Sequence, residues 1–166
     1  TMRKVGWYTY REVIPGDAVH VGTTTECKDP EEFFKVETQP EVTTVVSSDR
    51  ITPGTELSDT LQVRGTNGEA VTVRADLFGP FASRDAITCD GQPIWTGNVE
   101  VKGDGQYKTA ATTLTVPGYY HYRESIAPTG FVRGFEAKCG EEAETSIVAG
   151  KPNILTQVSA AVVAPG

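Results

Sequence analysis

The chain has 166 residues and a formal net charge of −7 at pH 7, with a sequence pI of about 4.8. Its 15 Lys and Arg residues form no cluster longer than the pair Arg3-Lys4, which argues against nucleic-acid binding and against an anionic membrane as partner. With 17 Gly, 10 Pro and many Thr and Val residues, the composition favours strands and turns over helices. No apolar run approaches the roughly 20 residues that a membrane-spanning helix needs, so membrane insertion is not expected.

Residues 40–151 contain a series of short segments in which apolar and polar side chains alternate. This pattern predicts strands, and turn residues such as Asn67-Gly68 separate them. Many short strands with turns about every 8–12 residues indicate an all-β, antiparallel sandwich of the Ig-like or prealbumin-like class. The predicted strands, in chain order, are 42–48, 57–64, 69–78, 86–89, 95–102, 106–116, 118–126, 131–138 and 143–149.

The sequence contains an internal repeat. Segment 6–14 (GWYTYREVI) resembles segment 118–126 (GYYHYRESI) at an offset of 118 − 6 = 112 residues. The offset holds without a gap over 54 aligned positions, of which 17 are identical, including Cys27/Cys139 and Thr44/Thr156. The chain is therefore predicted to be a window on a tandem array with a 112-residue period.

The repeat predicts three regions, separated by short Pro-marked linkers at 38–41 and 150–153. Residues 1–39 are expected to be the C-terminal third of a preceding repeat, 40–151 a complete repeat, and 152–166 the first strand of a following one. A separate third of a sandwich would expose its core face. Neighbouring repeats, a circularly permuted domain or strand exchange in a homo-oligomer could each complete it.

The strand 118–126 carries a carboxylate on the face that we expect to be buried. Tyr120, Tyr122, Glu124 and Ile126 share one face of this strand and are identical in the other copy. We therefore predict that Glu124 is a buried structural carboxylate held by Tyr hydroxyls, an Arg or backbone N–H groups. His121 lies on the opposite face, which is expected to be solvated.

Residues 118–131 (GYYHYRESIAPTGF) resemble the Cna B-type or SpaA-type repeats of Gram-positive surface proteins. The residues on that pattern are Gly118, Tyr120, Tyr122, Glu124, Ala127, Pro128, Gly130 and Phe131. The two-cysteine module also resembles tandem repeats of large actinobacterial surface proteins. The resemblance implies a prealbumin-like fold in a secreted protein attached to the cell wall or envelope.

In these repeats the Glu promotes an isopeptide bond between a Lys and an Asn. Here no Lys lies in 40–101 and no Asn lies in 141–150, so that bond is not expected. Other surface repeats join a first-strand Thr to a last-strand Gln as an ester. Thr44 fits the first position, but the last strand offers Glu144, and we expect Thr44 to be an ordinary buried strand residue.

Three cysteines are present. We predict a Cys89–Cys139 disulfide and an oxidising compartment, because Cys27 is the counterpart of Cys139 and its own partner would lie upstream. A Cys27–Cys89 bond is the alternative in a permuted fold, and buried free thiols are a third possibility.

The sequence offers no catalytic constellation. Only two His are present, no metalloprotease, phosphate-loop or nucleophile-elbow pattern occurs, and neither a metal nor a cofactor is expected. The predicted function is that of a disulfide-stapled spacer in a surface stalk or adhesin, with neighbouring repeats as partners. The alternatives are a module that binds a surface glycan or protein through the aromatics Trp95, Tyr107 and Tyr119, and a filament subunit completed by strand exchange.

Overall fold

A computed structural model describes residues 4–157 of the chain. Within that range the protein is all-β, with three single 3₁₀ turns at Pro30–Glu32, Arg84–Ala86 and Glu142–Glu144 and no helix that could cross a membrane. The strands are β1 (Gly6–Thr9), β2 (Val13–Ile14), β3 (Thr23–Thr24), β4 (Phe33–Val36), β5 (Glu41–Val46), β6 (Arg50–Ile51), β7 (Thr55–Leu57), β8 (Asp59–Arg64), β9 (Ala70–Phe81), β10 (Trp95–Lys102), β11 (Gly105–Lys108), β12 (Thr112–Leu114), β13 (Gly118–Ile126), β14 (Phe135–Glu136) and β15 (Thr145–Val148).

The largest sheet has the order β10-β9-β13-β15-β6, with β14 also paired to β13. All of its pairings are antiparallel except that of β15 with β6, which is parallel. The register between β9 and β13 shifts at Gly79, whose φ is +127°. A Cβ atom at this position would lie 2.6 Å from the carbonyl oxygen of Tyr119, so the close approach of the two strands requires glycine.

A second, three-stranded antiparallel sheet has the order β11-β8-β5. Its inward side chains pack against those of the largest sheet in two core clusters. Val46 joins the cluster around Tyr122, together with Leu57 of β7, a strand that pairs separately with β12, and Leu61 and Val63 join the cluster around Ile126. Several antiparallel sheets packed around a shared core are consistent with a β-sandwich. The alternation of burial along β5 and along residues 70–77 of β9 is what this packing requires of strands with one covered face.

The predicted strands 42–48, 69–78, 95–102, 118–126 and 143–149 agree with strands of the structure. Two other predictions each combine two strands: 57–64 covers the end of β7 and all of β8, and 106–116 covers most of β11 and all of β12, which pair in different sheets. The predictions for 86–89 and 131–138 are wrong. The predicted strand 86–89 is a 3₁₀ turn followed by a loop that ends at Cys89, so a disulfide holds this apolar stretch in place of a strand ladder. In the predicted strand 131–138 only Phe135–Glu136 is extended and paired within a strand. Val132 forms isolated backbone bridges to Thr38 and Thr129, and its buried side chain packs in the core cluster around Ile126 and Leu61.

The N-terminal segment, residues 4–36, forms two small antiparallel pairs. Strand β1 pairs with β4 so that Gly6 lies opposite Val36, and β2 pairs with β3 so that Val13 lies opposite Thr24. The chain then reaches the sandwich at Thr38, whose N–H donates to the Phe131 carbonyl oxygen at 2.9 Å.

The predicted following strand, 152–166, falls partly outside the described residues. Residues 152–157 are exposed and lie in no strand, and residues 158–166 are beyond the described range.

Candidate functional site: a buried carboxylate cluster beside the disulfide

Strand β13 carries the residues on which the sequence prediction for this site rests. Tyr120, Tyr122 and Glu124 are buried on the side of β13 that faces the three-stranded sheet. The Tyr120 hydroxyl donates to the Val116 carbonyl oxygen at 2.8 Å, and the Tyr122 hydroxyl lies 3.5 Å from the Leu57 carbonyl oxygen. The aromatic rings thus enter the core with their polar ends directed at backbone acceptors.

Three carboxyl groups converge beneath β13. Asp59 begins β8, Glu124 lies on β13, Glu144 ends the 3₁₀ turn before β15, and each is at most 2% exposed. Thr44 on β5 donates its hydroxyl to Glu144 Oε1 and lies 3.4 Å from Glu124 Oε2. The fold therefore brings together acidic groups and a hydroxyl from four separate elements.

The cluster is stable only if it holds protons. If all three groups were ionised, no donor would reach Glu124 Oε1 or either carboxylate oxygen of Asp59. If Glu124 is protonated, its hydroxyl donates a hydrogen bond to Asp59. Burial, together with the nearby charges of Glu144 and Asp59, raises the pKa of Glu124 to about 10. Burial also raises the pKa values of Asp59 and Glu144 above their ordinary range, while the Thr44 hydroxyl partly offsets the shift of Glu144. At neutral pH Glu124 is therefore a carboxylic acid that serves as a donor in the core.

The prediction that His121 faces solvent is wrong, because this side chain is fully buried. The loop that carries the disulfide and the following 3₁₀ turn cover the outer face of β13 at this point. The Gly140 N–H donates to His121 Nε2 at 2.9 Å, so the ring proton is on Nδ1, which lies 3.3 Å from the Thr145 hydroxyl oxygen. Burial lowers the pKa of His121 to about 4.

The neutral, buried His121 makes a contribution to stability that depends on pH. The unfolded chain takes up a proton at His121 near pH 6.5 and the folded chain only near pH 4, so the part of the stability that comes from this histidine is lost as the pH falls through this window. The raised pKa values of the three carboxyl groups act in the opposite direction, so the test is the difference between variant and wild type. On going from pH 7 to pH 4.5, the unfolding free energy of His121→Gln should rise relative to that of the wild type by on the order of 2 kcal/mol. Urea denaturation at the two pH values measures the difference. His20→Gln, at an exposed histidine, is the matched control, and equal changes in all three proteins would contradict the assignment.

The predicted disulfide is present. Cys89 and Cys139 are bonded, with their Cα atoms 6.0 Å apart, and Cys27 is a free, exposed cysteine. The Cys27–Cys89 alternative is therefore not the pairing found. A disulfide is typical of extracellular proteins.

The only acidic, His or Cys group within residues 4–157 that has metal-site spacing is centred on this disulfide. The sulfur atoms of Cys89 and Cys139 and a ring nitrogen of His121 lie within 4.8 Å of one another. The sulfurs are bonded to each other and are not thiolates, so in this form they do not provide a metal-ligand set.

The contact between Thr44 and Glu144 makes a covalent test worthwhile. An ester between this hydroxyl and this carboxyl would release one water. We expect none, because a carboxylate is a poor acyl donor, and the intact mass should then be only about 2 Da below that of the reduced chain. A further loss of about 18 Da in mass spectrometry, located by peptide mapping to Thr44 and Glu144, would contradict this expectation.

Sequence reasoning did not single out Asp59. Asp59 is spaced at two-residue intervals with Leu57, Leu61 and Val63, all of which are buried. An acidic residue on an otherwise apolar face was therefore the signal in the sequence that Asp59 is buried.

The three aromatic residues that were expected to form an exposed binding surface are less exposed than that surface requires. Trp95, Tyr107 and Tyr119 are each half-buried. Trp95 packs edge-on against Tyr122 at 6.0 Å between ring centroids, and the Tyr107 hydroxyl donates to the Gly103 carbonyl oxygen at 3.0 Å. Two of these three rings are thus engaged within the module.

Comparison with protein-family models and with curated proteins found no match for this chain.

Proposed function

We propose that this chain is part of a tandem array of disulfide-stapled sandwich modules that acts as an extracellular spacer in a cell-surface stalk or adhesin. The observation that carries the proposal is a recurring strand register. Gly6 pairs with Val36 as Gly118 pairs with Val148, and each residue of the second pair follows its counterpart by 112 positions.

Further features recur at the same offset. Strands β2 and β3 pair Val13 with Thr24, and β13 and β14 pair Ser125 with Glu136, again 112 positions later. The 3₁₀ turn Pro30–Glu32 likewise corresponds to the turn Glu142–Glu144. The alignment of amino acids predicted the offset, and matching registers at the same offset support a tandem repeat of Ig-like or prealbumin-like modules.

Two features suit such a module to a mechanical role. The disulfide joins residues 50 positions apart across the layer that covers β13, so the chain between them cannot be drawn out. The connection from β4 to β5 contains only residues 37–40, among them Pro40, which leaves little freedom between neighbouring units. The resemblance of 118–131 to Gram-positive surface repeats is in keeping with this role.

Single-molecule stretching tests the spacer role. With the disulfide intact, the chain between Cys89 and Cys139 stays locked when the module unfolds. We therefore expect the contour-length gain of residues 40–151 to rise by about 170 Å on reduction, from 50 residues at about 3.4 Å each.

The double variant Cys89→Ser, Cys139→Ser should show the longer gain without any reductant, and Cys27→Ser should behave as the wild type. A module that unfolds outside the disulfide-closed loop under low force, with its disulfide intact, would argue against a load-bearing spacer.

A further inference from the structure

The N-terminal segment, residues 4–36, has an open face that carries apolar side chains. Tyr10 is 61% exposed and Ile14 is 65% exposed. Phe34 stacks on Tyr10 with ring centroids 5.4 Å apart and on Tyr8 at 5.6 Å, so the aromatics form a continuous surface. A contiguous apolar surface of this kind marks a site of contact with other polypeptide.

The complete module shows what covers the equivalent face. Under the 112-residue offset, on which this inference and the proposed function both rest, Tyr10 and Ile14 correspond to Tyr122 and Ile126. Those two residues are 0% and 3% exposed. The sheet β11-β8-β5 lies over them and joins them in the two core clusters.

The polar groups of the open face match the same arrangement. Glu12 and Glu32 line a depression of about 400 Å³ on the segment, and Glu32 Oε2 is a buried oxygen without a hydrogen-bond partner. These residues correspond to Glu124 and Glu144, both of which contact the Thr44 hydroxyl. An occupant of the depression must therefore bring a hydroxyl donor at the position of Thr44.

The free cysteine adds a covalent requirement. Cys27 is exposed and unbonded, and it corresponds to Cys139, which is bonded to Cys89. The occupant must place a thiol where the loop after β9 places Cys89.

We infer that segment 4–36 is the docking surface for a polypeptide of the same design as residues 40–112, placed ahead of it in the same chain, and that Cys27 forms a disulfide with the cysteine equivalent to Cys89. In the complete module, residues 40–112 directly precede the segment that they cover, which favours a covering segment in cis. The two thiols give up two protons and two electrons to a small-molecule disulfide such as glutathione disulfide, which is reduced to two thiols.

An extended chain tests the inference. A copy of residues 40–112 is placed directly ahead of Thr1, and because Thr1 corresponds to Thr113, this junction keeps the repeat in register. After refolding with glutathione disulfide, we expect titratable thiol to fall from one per chain to none. Non-reducing peptide mapping should find Cys27 bonded to the copied cysteine. Hydrogen exchange of the amides in 6–14 should slow by at least about 100-fold.

A second variant separates docking from the disulfide. If the copied Cys89 is replaced by Ser, the amides of 6–14 should remain protected while the Cys27 thiol stays titratable. Free Cys27 together with amide exchange as fast as in the unextended chain would overturn the inference, whether or not the added segment folds.

The unextended chain supplies the remaining test. Sedimentation velocity should show no association that depends on Cys27. A concentration-dependent dimer or polymer abolished by Cys27→Ser would place the partner on a second chain and overturn the assignment in cis. Neither failure would affect the stretching result for residues 40–151, so the spacer proposal can stand or fall separately.

Discussion

Replacement of Glu124 by Gln is expected to stabilise the protein at alkaline pH and to leave it nearly unchanged near pH 4.5. The unfolded chain releases this proton near the ordinary glutamate value of 4.5, while the folded chain holds it up to about pH 10. At Glu124 the folded state therefore binds more protons throughout that window, and the contribution of this group to stability falls as the pH rises. Asp59 and Glu144 contribute in the same direction, since their pKa values are also raised by burial.

A glutamine at position 124 is neutral in both states and keeps a donor for Asp59. We expect it to add about 2–4 kcal/mol to the unfolding free energy at pH 8 and to flatten the pH profile. Urea denaturation from pH 5 to pH 9 measures both effects. Glu12→Gln, at the exposed counterpart, should change neither. A wild type whose stability is flat over this range, with a variant weaker at every pH, would show that Glu124 is ionised in the core.

Loss of the disulfide is expected to have an effect of similar size. In the chain-entropy treatment, a cross-link over 50 residues restrains the unfolded chain by about 4 kcal/mol. The double variant Cys89→Ser, Cys139→Ser should lose about this amount. The loss should appear as a lower urea midpoint, and chemical reduction of the wild type should reproduce it.

The matched control is Cys27→Ser, which removes an exposed cysteine that is not part of the disulfide. Its urea midpoint should equal that of the wild type. If the double variant also kept the wild-type midpoint, the loop between Cys89 and Cys139 would already be restrained by packing alone, and the disulfide would add nothing to stability.

The alternation of apolar and polar side chains located the longer strands that have one buried face, such as β5, β9 and β13. Alternation also identified which residues share a face with Glu124. It failed for the outer face of β13, because His121 is covered by a loop whose position depends on a bond between residues 50 positions apart. A local pattern contains no information on such a contact.

The same limit applies to the carboxylate cluster. Glu124 was expected to be held by Tyr hydroxyls, an Arg or backbone N–H groups, but its hydrogen-bonding neighbours are two other acids and the Thr44 hydroxyl. Which groups meet in the core is decided by the packing of the two sheets, and Asp59 and Thr44 come from strands that are distant from β13 in sequence. The raised pKa values result from the proximity of these carboxyl groups and from their burial, and the sequence of a single strand shows neither.

The parallel pairing of β6 with β15 bears on how the module would resist a pull. Strand β6 lies near the beginning of the module and β15 near its end, and backbone hydrogen bonds join them. The Ile147 N–H donates to the Asp49 carbonyl oxygen at 2.9 Å, and the Ala149 N–H donates to the Ile51 carbonyl oxygen at 2.8 Å. Traction that draws the two ends of the module apart slides these parallel strands past each other lengthwise. Both bonds then carry the load in shear and must break together, whereas antiparallel strands opened from one end would lose their bonds in succession.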